Sequence, residues 1–341
     1  MKTLIIGPSW VGDMLMSQSL YQHLKQKNPN IEIDVLAPNW CRPVLARMPE
    51  VNKAIEMPVG HGSLQWGLRK QIGQELAKNG YEQALVLPNS LKSALIPWFA
   101  KIPKRTGWRG EMRYGLLTDL RPLDKESYPL MVQRYLGLAE APGTPAMPME
   151  QIPYPQLTVD SAEYEAALTQ FKLNPDKAIA FCPGAEFGPA KRWPDYHYAA
   201  LAKLLIADGY QIWLFGSEKD KPVCQQIQDQ LTVEEQQCCS NLAGVTSLPQ
   251  AIDLIAHCRA AVSNDSGLMH IAAAVNVPLV ALYGPTSPGF TPPLSDKAEI
   301  IRLIEGYQKI RKGDADQGYH QSMIDITPEL AYKATIDGLN R

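Results

Sequence analysis

Apolar positions along the chain fall into two series of short runs alternating with amphipathic stretches, and a proline-rich segment separates the series. The first opens with the run Thr3 to Ile6, followed by helical spacing from Asp13 to Gln26. It continues with Ile31 to Leu36, a weaker run from Lys53 to Glu56, a helix-like stretch from Leu64 to Lys78, and Ala84 to Leu87. Such alternation predicts parallel strands covered on both faces by helices. The second series holds strand-like runs at Ala178 to Cys182, Gln211 to Phe215, Ala260 to Ser263, Leu279 to Leu282 and Glu299 to Leu303. Its helical stretches run from Pro194 to Asp208, Lys219 to Leu231, Leu248 to His257 and Gly267 to Ala274. Thr327 before Pro328 reads as an N-cap and first-turn proline, which predicts a last helix to Leu339.

Between the series stand Pro142, Pro145, Pro148, Pro153 and Pro155. Proline removes a backbone donor and restricts its neighbour, so an irregular connector is expected there, running to about residue 170. Two similar rounds predict an α/β chain of two doubly wound, Rossmann-like domains, with ligands at the carboxyl ends of the strands.

Composition narrows the class. At 341 residues the chain exceeds what one core usually serves, and its 45% hydrophobic and 20% charged residues suit a folded protein. A net charge of -2 gives no global attraction for nucleic acid, so an anion site must be built locally. The start, Met1 to Gly7, is too short an apolar run for a secretion signal, and no stretch approaches the ~20 apolar residues of a membrane span. Cys41, Cys182, Cys224, Cys238, Cys239 and Cys258 lack metal-binding spacing, which predicts reduced thiols in a cytoplasmic protein.

Candidate chemistry sits in the turns that follow strands. Gly7-Pro8-Ser9-Trp10-Val11-Gly12-Asp13 is a glycine turn at a helix start, but neither a dinucleotide fingerprint nor a Walker loop. Asp13 there is either a helix N-cap or a carboxylate that takes a proton from an acceptor hydroxyl. One such base suffices for an inverting sugar transfer, because a departing diphosphate needs no proton, whereas glycoside hydrolysis needs two carboxyl groups. Pro183 to Pro194 combines Gly184, Ala185 and Gly188 with Lys191 and Arg192. It reads as a phosphate cradle or as a solvated basic turn.

Ser263 to His270 again joins a strand to a helix, and the amides around Ser266 and Gly267 suit an anion. Asp265 would repel phosphate, so it reads as a cap or as a partner that orients Lys191 or a ribose hydroxyl. His270 follows Ser266 by one helical turn, as a ligand contact or a packing residue. Glu218 ends another strand where ribose hydroxyls can be bound, or is simply exposed, and Tyr283 to Pro288 forms a rigid turn. From Lys92 to Arg113 the basic residues Lys92, Lys101, Lys104, Arg105, Arg109 and Arg113 face one acid, Glu111. This is either a solvated face or a seat for an acidic acceptor. Trp98, Trp108 and Tyr114 are interleaved for sugar or lipid-proximal contact, and Lys309, Arg311 and Lys312 extend the patch.

Four blocks taken together resemble one known family, the inner-core ADP-heptose:lipopolysaccharide heptosyltransferases, and among them the heptosyltransferase II group. They are Ile6 to Met14, Thr106 to Gly115, Cys182 to Pro194 and Asn264 to His270. The resemblance spans nearly the whole chain and implies a GT-B fold: two Rossmann-like domains facing a central cleft, with the C-terminal helix packing back on the first. Residues 1–160 would bind acceptor, 161–325 the nucleotide sugar, and 326–341 would form the returning helix.

It implies ADP-L-glycero-β-D-manno-heptose as donor and the 3-hydroxyl of the first heptose on Kdo2-lipid A as acceptor. The anomeric centre would be inverted, with no cofactor and no metal. By this resemblance Asp13 is the general base and Lys191 the diphosphate contact. Gly12, Gly184, Ala185, Glu218, Asp265, Ser266, Gly267 and His270 would bind donor. Asn89, Ser90, Lys92, Arg105, Arg109 and Arg113 are expected to bind acceptor. Glu186 and Phe187 stand where the first heptosyltransferase has a threonine pair, which shifts the expectation there to backbone amides. Asp314-Ala315-Asp316 reads as an accidental DxD. A cytoplasmic enzyme in peripheral contact with the inner membrane of a Gram-negative bacterium is implied, with no nucleic-acid partner. A nucleotide-sugar epimerase of the same fold and a non-catalytic two-lobed binder remain as alternatives.

Overall fold

In the computed structural model, which describes residues 1–59, 63–185, 188–306, 310 and 313–341, the short apolar runs become strands of two parallel sheets. The chain divides into Met1–Leu157 and Thr158–Arg341.

The first unit runs β1 (Lys2–Ile6), α1 (Val11–Lys27), β2 (Glu32–Ala37), α2 (Arg42–Leu45), β3 (Lys53–Glu56) and α3 (Trp66–Leu76). It continues with β4 (Gln83–Val86), α4 (Leu91–Phe99), β5 (Lys104–Trp108), β6 (Asp119–Arg121) and α5 (Met131–Gly137). The sheet order is β3-β2-β1-β4-β5-β6. Ile5 stands opposite Val35 on one side and Leu85 on the other. Central strands buried on both faces explain the continuous apolar runs: Leu4, Ile6, Leu36, Ala84 and Val86 join Ile96 of α4 in one core. Residues 91–121, read from sequence only as a basic run, contain α4, β5 and β6.

The second unit runs α6 (Ser161–Phe171), β7 (Ala178–Cys182), α7 (Asp195–Ala207), β8 (Gln211–Leu214), α8 (Lys221–Asp229), α9 (Val233–Gln236) and β9 (Cys239–Asn241). Then come α10 (Leu248–Ala256), β10 (Ala260–Asn264), α11 (Gly267–Ala274), β11 (Leu279–Tyr283), β12 (Ala298–Arg302), α12 (Gln321–Ile324) and α13 (Pro328–Leu339). Its order, β12-β11-β10-β7-β8-β9, is that of the first sheet read from the opposite edge. In each sheet the chain order reverses beside the first strand, between β1 and β4 and between β7 and β10. The strand ends there open a crevice suited to a ligand.

One expectation changes. The connector does not run to residue 170, because α6 occupies 161–171. Asp160 caps it by accepting from the amides of Ala162 and Glu163 at 3.0 and 3.2 Å, and Tyr164 stacks on His257. The last helix, capped by Thr327 as its sequence predicts, is grouped with the second unit. It packs on α7, β10 and β11, with Ala331 and Ala334 in the core of that unit. The Trp193 indole fixes the chain leading into it by donating to the Ile326 carbonyl at 2.7 Å. No helix among the described residues is long and apolar enough to cross a membrane.

Candidate active-site residues

In the second unit the loops after β7 and β10 supply groups to the strand reversal. The Asn264 side chain ties these loops together. Its amide donates to the Pro183 carbonyl at 2.7 Å, while its oxygen accepts from the Trp193 amide and the Tyr198 hydroxyl, each at 3.1 Å. Gly184 is buried where a Cβ would fall 2.5 Å from the Asp220 carboxyl carbon, so only glycine fits. Lys191 Nζ donates to Asp265 Oδ2 at 2.6 Å, and both side chains are largely buried. The N-cap of α11 is Ser266, not Asp265, so the cap reading of Asp265 does not hold. Ser266 makes no side-chain capping bond, so its hydroxyl does not occupy the first-turn N–H groups from Gly267 onward.

His270, on the same helix, is 6% exposed. Burial pushes its imidazole down to about 4, with Lys191 acting in the same direction and Asp265 opposing. The ring is neutral at pH 7 and offers hydrogen bonding rather than charge. Glu218 follows β8 and is 74% exposed at its side chain. Gly244, at φ +71°, gives it room: a Cβ there would meet Glu218 Oε2 at 2.3 Å. Among the described residues no group of three or more His, Cys, Asp or Glu is placed to hold a metal.

In the first unit, Asp13 lies in the first turn of α1, whose N-cap is Trp10, so the N-cap reading of Asp13 does not hold. Gly12 precedes it in the same turn. Gly7 makes the turn possible, since a Cβ would press on Met14 at 2.8 Å and on the Leu36 carbonyl at 3.3 Å. Asn89, Ser90 and Lys92 follow β4, next to β1 in the sheet, and Arg109 follows β5. The two loops interlock. Glu111 accepts from the Leu91 amide at 2.7 Å, capping α4, and donates its own amide to the Asn89 carbonyl.

A family model covers most of the chain. Glycosyltransferase family 9 (heptosyltransferase) matches residues 69–320, well over half of the chain. The chain belongs to this family. It is 62% identical over 333 residues to lipopolysaccharide heptosyltransferase 2 of Escherichia coli (strain K12), covering 96% of each chain. To lipooligosaccharide heptosyltransferase 2 of Haemophilus influenzae it is 61% identical over 338 residues, covering 97% of each. The solved structure of E. coli ADP-heptose LPS heptosyltransferase II matches with a TM-score of 0.91 at 56% identity, covering 100% of this chain and 99% of that one. The protein is therefore a glycosyltransferase with the GT-B-type pair of α/β units.

Within this heptosyltransferase two residues expected to bind acceptor make bonds inside the first unit. Arg113 is fully buried. It donates to the carbonyls of Pro88 and Trp108 and to the side chains of Ser93 and Asn89. Desolvation lowers its guanidinium to about 10, which still leaves it charged. Arg105 sits at the amino end of β5 and spends its guanidinium on the carbonyls of Leu116 and Ile102. Trp108 is likewise buried, its indole donating to the Arg134 carbonyl, whereas Trp98 and Tyr114 are exposed. Glu186, Phe187, Lys309, Arg311 and Lys312 lie outside the described residues.

Sequence reasoning passed over Asp220 and Asn264 as site-building residues. Asp220 accepts from the Ser217 amide and hydroxyl and lies 3.6 Å from Arg192. Its only advance signal was Gly184, a glycine whose reason is this carboxylate.

Proposed function

We propose that this heptosyltransferase moves L-glycero-D-manno-heptose from ADP-heptose to the 3-hydroxyl of the first heptose on Kdo2-lipid A. The names of its relatives supply the sugar and the lipopolysaccharide context. The observation that carries the chemistry is the 2.6 Å pairing of Lys191 with Asp265 beside the uncapped start of α11. A cation held beside free helix amides can receive a diphosphate at a strand reversal where nucleotides commonly bind.

The acceptor oxygen attacks the anomeric carbon as the bond from that carbon to the phosphate oxygen breaks. The electron pair leaves with ADP, whose growing charge meets Lys191 and the first-turn amides of Gly267. The hydroxyl proton passes to the Asp13 carboxylate. Asn89, Ser90, Lys92 and Arg109 hold the acidic, lipid-linked acceptor, and Glu218 reads the ribose. The reaction takes place at the cytoplasmic face of the inner membrane and uses no metal.

Mass analysis of heptosyl-Kdo2-lipid A incubated with ADP-heptose and a chelator should show one added heptose. Loss of activity with chelator would reject the metal-free scheme. An acceptor of unchanged mass with altered donor would instead mark an epimerase, and unaltered donor a binder. Asp13→Ala should slow turnover by about 10²–10⁴-fold while keeping ADP affinity. Lys191→Ala should weaken both, and wild-type behaviour of either variant would remove that residue from the scheme.

A further inference from the structure

Two large aromatic side chains stand in the open at the carboxyl edge of the first sheet. Trp40, just after β2, is 50% exposed, and Trp10, the N-cap of α1, is 46% exposed. An indole offers more apolar area than any other side chain, and folding ordinarily hides it. Trp40 is exposed without being loose. Its Nε1 donates to the Ser9 carbonyl at 2.7 Å, and the Cys41 thiol reaches the same carbonyl at 3.6 Å.

Ser9 belongs to the turn between β1 and α1 that carries Asp13. A second link joins the same groups. Burial raises the Cys41 thiol to about 12, and the negative charge of Asp13 adds to that rise, so the carboxylate lies close to the residue that follows Trp40. Trp40 is thus fixed by its edge to the Asp13 turn while much of its ring surface stays uncovered. Its one polar atom is already satisfied by Ser9. What remains to offer is aromatic surface, which suits a ligand presenting C–H groups, as one face of a pyranose ring does.

We propose that Trp40, with Trp10 on the same turn, forms a stacking platform for a sugar ring of the acceptor and so sets the reactive hydroxyl against Asp13. The inference rests on the transfer reaction proposed above. It adds a subsite for an uncharged ring face to the polar and basic residues of the neighbouring loops. Adenine would also stack on an indole, but the candidate diphosphate groups belong to the second sheet.

The test is steady-state kinetics of full-length Trp40→Ala and Trp40→Phe with heptosyl-Kdo2-lipid A and ADP-heptose, each substrate varied with the other saturating. Trp40→Ala should raise the acceptor KM roughly tenfold and leave the donor KM within about twofold. Trp40→Phe keeps a flat ring but loses the anchor to Ser9, so its acceptor KM should lie between the wild-type and alanine values. An unchanged acceptor KM in Trp40→Ala, or a rise confined to the donor KM, overturns the proposal. Should Trp40→Ala fail to fold in a thermal melt, Trp40→Phe decides, and a wild-type acceptor KM there overturns it equally. Absence of heptose transfer by the wild-type protein would instead reject the transfer reaction itself.

Discussion

A histidine ring buried between a lysine and an aspartate must settle on one protonation state, and at His270 desolvation decides it. The folded value of about 4 lies below the ordinary 6.5. As pH falls through 6.5 the unfolded chain takes up a proton that the folded one refuses. The associated stability is therefore complete above pH 6.5 and drains away between 6.5 and about 4. A gap of this size corresponds to about 3 kcal/mol at most. His270→Gln should lose less unfolding free energy than wild type between pH 7 and pH 4.5 in denaturant titrations. Parallel losses in the two proteins would show that the imidazole titrates in the fold as it does in the unfolded chain. The same arithmetic limits its role in catalysis, since a neutral ring can orient a ligand but cannot neutralise a diphosphate. In the proposed scheme that task falls to Lys191, whose Nζ is held by Asp265.

At the level of elements, Arg113 acts as a peg that holds the loop after β4 against the end of β5. Its bonds satisfy the buried Trp108 carbonyl and the partly buried Pro88 carbonyl. Arg113→Met would keep the bulk and strand those carbonyls. Unfolding of the first unit should become easier by roughly 2–4 kcal/mol, with acceptor KM rising as Asn89 loses its support. A denaturant midpoint equal to wild type would show the peg to be dispensable.

Why this arginine was read as a surface contact is plain in physical terms. A charged residue within a basic run looks solvated unless its backbone acceptors are known, and those lie at positions 88 and 108. Strands buried on both faces, such as β1, β7 and β10, announce themselves as continuous apolar runs and were legible. Short strands near a sheet edge were not: β5 reads Lys-Arg-Thr-Gly-Trp and β6 Asp-Leu-Arg, with little apolar signal. In α13 the cap and the first-turn proline were both visible; they state that a helix begins without stating what it packs against. Among the site residues, Lys191, Asp265, Ser266 and Gly267 could be picked out because each follows a legible strand. Asp220 could not, because its role depends on a glycine some 36 residues away in sequence.

For the molecule as a whole, one strand order used twice gives two similar edges with different chemical content. The first carries an acid, open aromatic rings and part of a basic patch. The second pairs its cations before any donor arrives, Lys191 with Asp265 and Arg192 with Asp220, and keeps His270 uncharged. Because those positive charges are largely cancelled locally, the second edge throws little field into solution, and long-range steering of the proposed donor toward it is weak. The donor KM should therefore change by less than about threefold between low ionic strength and about 0.3 M salt. A steep salt dependence would mean that the pairs open before binding. An osmotic shock that concentrates the ions around such an enzyme would leave its donor saturation point almost where it was.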